Sequence, residues 1–153
     1  MDASIRNATV MDDTRILELI NSHAAKGLML SKTPYKIYCN IQSFFVAEDS
    51  NGKIIGCAAL SVMWKDVAEV TSLAVDNDYF GKGVGKALVE KCIERARALK
   101  IEKLIALTYQ DKFFERLGFK LFDKDAFPRK LWRECLECPK LEMCDEKGYM
   151  YIL

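Results

Sequence analysis

The sequence carries almost no net charge, a single histidine and no long apolar run, and each shortage removes a class of function. Lysine and arginine number 23 against 22 aspartates and glutamates, so no net field draws the chain onto nucleic acid or an anionic membrane. No segment approaches the roughly 18 consecutive apolar residues of a bilayer span. The start, Met1-Asp2-Ala3-Ser4-Ile5-Arg6, lacks the basic region and apolar stretch of a secretory leader. A cytoplasmic location and small-molecule partners are therefore expected. His23, at the end of a predicted helix, is expected to be a surface or capping residue rather than a base. Internal repeats, low-complexity tracts and linkers are also lacking, so residues 1–153 read as one domain.

Half of the residues are apolar, enough for a continuous core at this length. Cys39, Cys57 and Cys92 sit singly within apolar stretches and behave there as small hydrophobes. Ile5 to Val10 reads as a strand. Asp12 or Asp13 then offers an N-cap to a helix carrying Ile16, Leu17, Leu19, Ile20 and Ala24 at helical spacing. Gly27 breaks that helix, and Pro34 opens a second short one through Asn40. Phe44 to Ala47 and Ile54 to Met63 flank the turn Asp49-Ser50-Asn51-Gly52, a hairpin pattern. A third strand, Val67 to Val75, puts Val67, Glu69, Thr71, Leu73 and Val75 on one face by alternation. The next helix is marked by a stripe of Val84, Leu88, Cys92, Ala96 and Leu99. Lys103 to Leu107 is again a strand, Asp111 to Arg116 a short helix stopped by Gly118, and Phe119 to Phe122 extended. The Cys-rich stretch from Trp132 to Glu146 reads as a loop, and Tyr149 to Leu153 as a last strand.

Between the third strand and the long helix lies Asp78-Tyr79-Phe80-Gly81-Lys82-Gly83-Val84-Gly85-Lys86. A strand that ends in a glycine turn and feeds a helix aims several backbone N–H groups at one point, and the helix dipole adds positive potential. Glycine at 81, 83 and 85 leaves room for a phosphate, and Lys82 and Lys86 place cations at its rim. The spacing fits neither nucleotide loop. Gly83-Val84-Gly85-Lys86-Ala87 lacks the gap and the hydroxyl of a P-loop, and Lys86 stands where the dinucleotide fingerprint needs its third glycine.

The run from Val70 to Val89 resembles the central signature of the GCN5-related N-acetyltransferase (GNAT) family, in which a strand passes through Arg/Gln-x-x-Gly-x-Gly/Ala into a long helix. Phe113-Phe114-Glu115-Arg116-Leu117-Gly118-Phe119 is similar to that family's closing helix and Gly-Phe strand start. The resemblance covers about residues 4 to 122. It implies an α/β fold, a splayed mixed sheet flanked by helices on both faces, and acetyl-CoA as co-substrate. It further implies that pantetheine lies along Leu73, Ala74 and Val75, and that the pyrophosphate lies over Gly81, Lys82, Gly83, Val84, Gly85 and Lys86. Two positions depart from the pattern. Phe80 replaces the Arg or Gln that opens the loop, and Phe114, a further cofactor-contact position, replaces the tyrosine often credited with protonating the leaving thiolate.

Amide formation from a thioester needs a neutral amine, a held carbonyl and a proton for the departing sulfur. Glu69 lies roughly 13 Å before Leu73 on an extended chain, toward the acyl end, and is the candidate base. An acid within an otherwise apolar strand is expected to hold its proton more tightly. Against this stands a rim carboxylate on a solvated strand face. Tyr109, the nearest phenol, is the candidate to stand in for the missing tyrosine, or a half-buried strand-end residue.

The tail from Trp132 to Glu146, the segment Lys26-Gly27-Leu28-Met29-Leu30 and the run Leu107-Thr108-Tyr109-Gln110 are similar to short amino-acid N-acetyltransferases of the N-acetylglutamate synthase type. That resemblance implies glutamate as the acceptor and the committing step of arginine biosynthesis. Lys26, Lys32 and Ser72 are the acceptor-side candidates, with Arg133 a further one. Cys135, Cys138 and Cys144 have the spacing of three zinc ligands without a nearby histidine. Thiols ordering the tail are the favoured reading over a metal. Another amine acceptor, or an acyl-CoA sensor without catalysis, remains as an alternative, and a homodimer is one open arrangement.

Overall fold

The computed structural model describes residues 3–26, 32–123 and 147–153. Strand β1, Ser4–Asn7, ends earlier than the sequence pattern suggests because Thr9 begins a 3-10 turn. The Thr9 hydroxyl accepts the Met11 amide at 3.2 Å, and the Asp12 carboxylate accepts the Thr9 amide at 2.8 Å. This reciprocal capping box satisfies donors that a continuing strand would have paired. Asp12 precedes helix α1, Asp13–Ala25, but its carboxylate is turned back to Thr9 and Arg6 and does not cap it. Thr33 caps α2, Pro34–Cys39, with proline in the first turn.

Strands β2, Phe44–Glu48, β3, Ile54–Trp64, and β4, Val67–Val75, follow as expected. A 3-10 turn, Asn77–Tyr79, and the glycine segment lead into α3, Val84–Ala98. Val84, Leu88, Cys92 and Ala96 are buried along α3. Leu99, expected to complete that stripe, is 41% exposed, because the helix has ended and the Ile101 amide turns back onto the Ala96 carbonyl at 3.0 Å. Then come β5, Lys103–Thr108, α4, Asp111–Arg116, β6, Lys120–Phe122, and β7, Lys147–Ile152.

The seven strands are ordered β1-β2-β3-β4-β5-β7-β6. β1–β2 and β2–β3 are antiparallel, β4–β5 is parallel from Val67–Lys103 to Glu69–Ile105, and β7 runs antiparallel to both β5 and β6. The sheet is therefore mixed, as expected. A parallel pair needs a crossover, and α3 supplies it.

The chain packs as two compact units, Met1–Ser61 with Val70–Arg95, and Val62–Glu69 with Ala96–Leu153. In the first, Ile16, Leu19 and Ile20 of α1 and Ile37 of α2 meet Phe44, Val46, Cys57 and Ala59 of the sheet. Gly56 brings the start of α3 close to the strands. A Cβ there would stand 3.0 Å from both Leu88 Cδ1 and Val84 Cγ1, and 3.4 Å from the Ala74 carbonyl. The second unit has its own cluster of Met63, Val67 and Ile105 with Leu107, Phe122 and Met150.

Candidate active site

The glycine turn belongs to the first unit. Gly81 (φ 74°) and Gly83 (φ 85°) are left-handed, where an L side chain is strained, and a Cβ at either would meet nothing within 4 Å. The turn is neither side-chain-blocked nor packed shut. The Ala87 amide donates to the Gly83 carbonyl at 3.1 Å, while helix geometry gives Val84, Gly85 and Lys86 no carbonyl one turn back. Those amides, with the aligned peptide dipoles of a 15-residue helix, form an anion cradle. Lys82 and Lys86 are exposed at its rim. The Lys82 ammonium stands 5.3 Å from the centre of the Tyr79 ring, and Lys86 reaches Glu90 at 4.0 Å.

The strand before the turn is not regular. Ser72 has φ 55°, left-handed for a non-glycine residue within a strand. The buried Cys57 thiol donates to the Ser72 carbonyl at 3.4 Å and receives a hydrogen bond from the Ala74 amide. Burial pushes this thiol up to about 12, with the Ala74 bond working against the rise. Cys57 is thus more than the small hydrophobe that its sequence context suggests. Leu73 and Val75 are half-buried and Ala74 is fully buried. Glu69, Thr71, Leu73 and Val75 alternate with the buried Ala68, Val70 and Ala74, whereas Val67, assigned to the same face, is buried in the second unit's cluster.

Phe80, which replaces the usual Arg or Gln, is 56% exposed and meets the edge of His23 with ring centres 6.2 Å apart. His23 itself is buried, its Nδ1 3.0 Å from the Leu19 carbonyl. The expected surface position is overturned, because the ring folds back one turn onto the Leu19 carbonyl and meets Phe80. The Lys26 ammonium lies 3.3 Å from Asn77 Oδ1, in the turn just before the glycines. Lys32 is half-buried, and its amide donates to Asn21 Oδ1 of α1 at 3.2 Å.

In the second unit, Glu69 is half-buried and pairs in register with Ile105 of β5. Tyr109 is half-buried just beyond the end of β5. Phe114 is buried, with ring centres 5.0 Å from Phe113 and 5.1 Å from Phe119, so this position packs the core and carries no proton. The buried Tyr149 ring sends its hydroxyl to Glu115 Oε1 at 3.0 Å. Arg133, Cys135, Cys138 and Cys144 lie outside the described residues. Among the described residues no group of three His, Cys, Asp or Glu side chains is placed to hold a metal ion, and no helix is long and apolar enough to cross a membrane.

Asp76 is the residue that sequence reasoning passed over. Its carboxylate accepts the Asp78 amide at 2.9 Å and Arg15 Nη2 at 2.5 Å, with Lys53 3.8 Å away. The Asp78 amide first, and then Arg15, hold this carboxyl below the usual aspartate range against the opposing effect of burial. The Asp76-Asn77-Asp78 run has the residue types that cap turns, a signal the sequence offers, whereas nothing in it points to Arg15 on α1.

An irregular strand, an open glycine turn and a helix N-terminus follow one another in series, an arrangement whose free amides suit an anionic group. The model of the acetyltransferase (GNAT) family matches residues 16–119, more than half of the chain. The chain belongs to that family, and it is an N-acetyltransferase with acetyl-CoA as co-substrate. Among its relatives, an uncharacterized N-acetyltransferase of Chlorobaculum tepidum is 38% identical over 145 residues, 95% of this chain and 93% of that protein. An amino-acid acetyltransferase of Mycobacterium tuberculosis is 38% identical over 117 residues, 75% of this chain and 67% of that protein. The N-acetylglutamate synthase of Neisseria gonorrhoeae, solved with coenzyme A and N-acetyl-glutamate, superposes with a TM-score of 0.87 at 26% identity. The match covers 99% of this chain and 35% of that one.

Proposed function

We propose that the protein acetylates the α-amino group of L-glutamate, the first step of arginine biosynthesis, by direct attack in a ternary complex. The carrying observation is the open donor turn on a chain 38% identical to an amino-acid acetyltransferase. The likeness to a synthase holding coenzyme A and N-acetyl-glutamate supports glutamate as the acceptor.

In this reading the main-chain amides of Gly81 to Lys86 hold the diphosphate, and Leu73, Ala74 and Val75 run beside the pantetheine. Phe114 enters this reading as a cofactor-contact position without a proton to give. Glu69 takes the ammonium proton directly or through water. The neutral nitrogen attacks the thioester carbonyl and a C–N bond forms; the C–S bond breaks, the thiolate takes a proton from Tyr109 or water, and the second proton shed by the new amide nitrogen restores that donor. In the same reading Lys26, Lys32 and Ser72 are the acceptor-side residues, the two ammonium groups offsetting its carboxylates and the serine hydroxyl offering a hydrogen bond.

Free-thiol release across a panel of amines tests this. Glutamate is the expected acceptor, and no turnover with any amino acid refutes it. Activity confined to peptide N-termini, lysine side chains or polyamines replaces glutamate with one of those. Glu69→Gln is expected to lose about 10²- to 10⁴-fold in kcat while coenzyme A still binds.

A further inference from the structure

The glycine segment has little stiffness of its own. Gly81 and Gly83 admit many backbone conformations, and no side chain packs where their Cβ atoms would be. A flexible cradle binds weakly, because the ligand must order it. Its geometry must therefore be set from its two ends. At the helical end, Val84 is buried against Gly56.

At the other end stands the turn Asn77–Tyr79, gripped by separate parts of the fold. The Asp76 amide donates to the Ile55 carbonyl at 2.8 Å, and the Asp76 carboxylate binds Arg15 of α1. Arg15 is itself fixed by Nε donating to the Ile54 carbonyl at 2.8 Å. Tyr79 sends its hydroxyl to Asp49 in the β2–β3 turn at 3.2 Å, and its ring lies against Lys82. Asp76 is the hub of this grip. One carboxylate oxygen caps the turn through Asp78, the other takes the Arg15 guanidinium, and its side chain is only 15% exposed.

We propose that Asp76, through its ion pair with Arg15, is a positioning residue for the donor diphosphate: it fixes the start of the glycine turn and so the direction of the Gly81–Lys86 amides. This rests on the reading that the turn takes the diphosphate. In this proposal Asp76 acts on the turn and makes no contact of its own with donor or acceptor. Its effect falls on uniform binding of the donor, which raises KM and leaves kcat unchanged.

The test compares two donors, acetyl-CoA and S-acetylpantetheine, which keeps the thioester and lacks the diphosphate. Asp76→Asn preserves the shape and an acceptor for Asp78 but removes the charge that Arg15 meets. It is expected to raise KM for acetyl-CoA about tenfold, the scale of one charge-assisted bond, with kcat at saturating donor unchanged. Its kcat/KM for S-acetylpantetheine should match that of the parent enzyme. Equal losses with both donors, or no loss with either, overturn the proposal. If the parent enzyme uses both donors equally well, the diphosphate reading of the turn falls, and the proposal falls with it. Should Asp76→Asn fail to fold, Arg15→Gln and Arg15→Lys carry the same comparison from the other side. The lysine variant is then expected to recover part of the acetyl-CoA affinity that the glutamine variant loses.

Discussion

Replacing Gly83 with alanine separates what the glycine turn does for the fold from what it does for the donor. At φ 85° an L side chain costs about 1–2 kcal/mol, partly offset by the lower entropy of the unfolded alanine chain, about 0.4–1 kcal/mol. No steric cost adds to this, since the new methyl meets nothing within 4 Å. The net loss of about 1 kcal/mol should lower Tm by about 2–4 °C for a domain of this size. If the turn holds the diphosphate, a methyl on it competes with the ligand, and displacing even one charge-assisted N–H contact, worth about 1.5–3 kcal/mol, should weaken coenzyme A binding by about tenfold or more. Calorimetric titration with coenzyme A and a thermal melt measure the two effects apart. Gly52→Ala is a matched control: Gly52 has φ 80° and equally open surroundings but lies in the β2–β3 turn. It should show a similar melting shift with its affinity intact. A Gly83→Ala protein that melts lower yet binds coenzyme A as tightly as its parent would refute the cradle.

Further outcomes follow from packing and charge. Gly56→Ala places a Cβ at 3.0 Å from Leu88 and Val84, an overpacking that should cost about 1–3 kcal/mol in urea unfolding and raise KM for the donor; an unchanged midpoint would show that α3 moves freely. Arg6 chiefly, with the Thr9 amide, holds the Asp12 carboxyl below its usual range against the effect of burial. A depressed value in the folded state means that this carboxylate stabilises the fold above the ordinary aspartate pKa of about 4 and loses that contribution as pH falls through the folded value. The stability gap between the parent and Asp12→Asn should therefore be full at neutral pH and close on acidification. A gap that stays constant down to about pH 3 would contradict the Arg6 pairing.

Much of the fold was legible because the apolar spacing repeats. The Val84, Leu88, Cys92 and Ala96 stripe and the bounds of α4 follow from local pattern. Where β1 ends was less legible, since a Thr9–Asp12 capping box competes with strand pairing and local propensity cannot rank the two. The insertion of β7 between β5 and β6 is a pairing between distant segments that no local window contains. The donor turn could be read from its glycines, which announce positive φ, whereas Ser72 adopts φ 55° with no such sign. The Arg15–Asp76 pair joins residues 61 positions apart, and with 45 charged lysines, arginines, aspartates and glutamates in the chain, 23 plus 22, charge alone does not choose partners. Lys26 illustrates the same point: nothing local announces that its ammonium stands beside Asn77, 51 positions on.

The place of β7 bears on how the molecule is made. β5 and β6 emerge from the ribosome before the strand that joins them, and Lys103 waits for Ile152, Leu121 for Tyr149. Until Lys147–Ile152 has been synthesised, the facing edges of both strands offer unpaired amides and carbonyls to any neighbouring chain. A released chain that lacks Lys147–Ile152 should therefore aggregate far more readily than one that carries it.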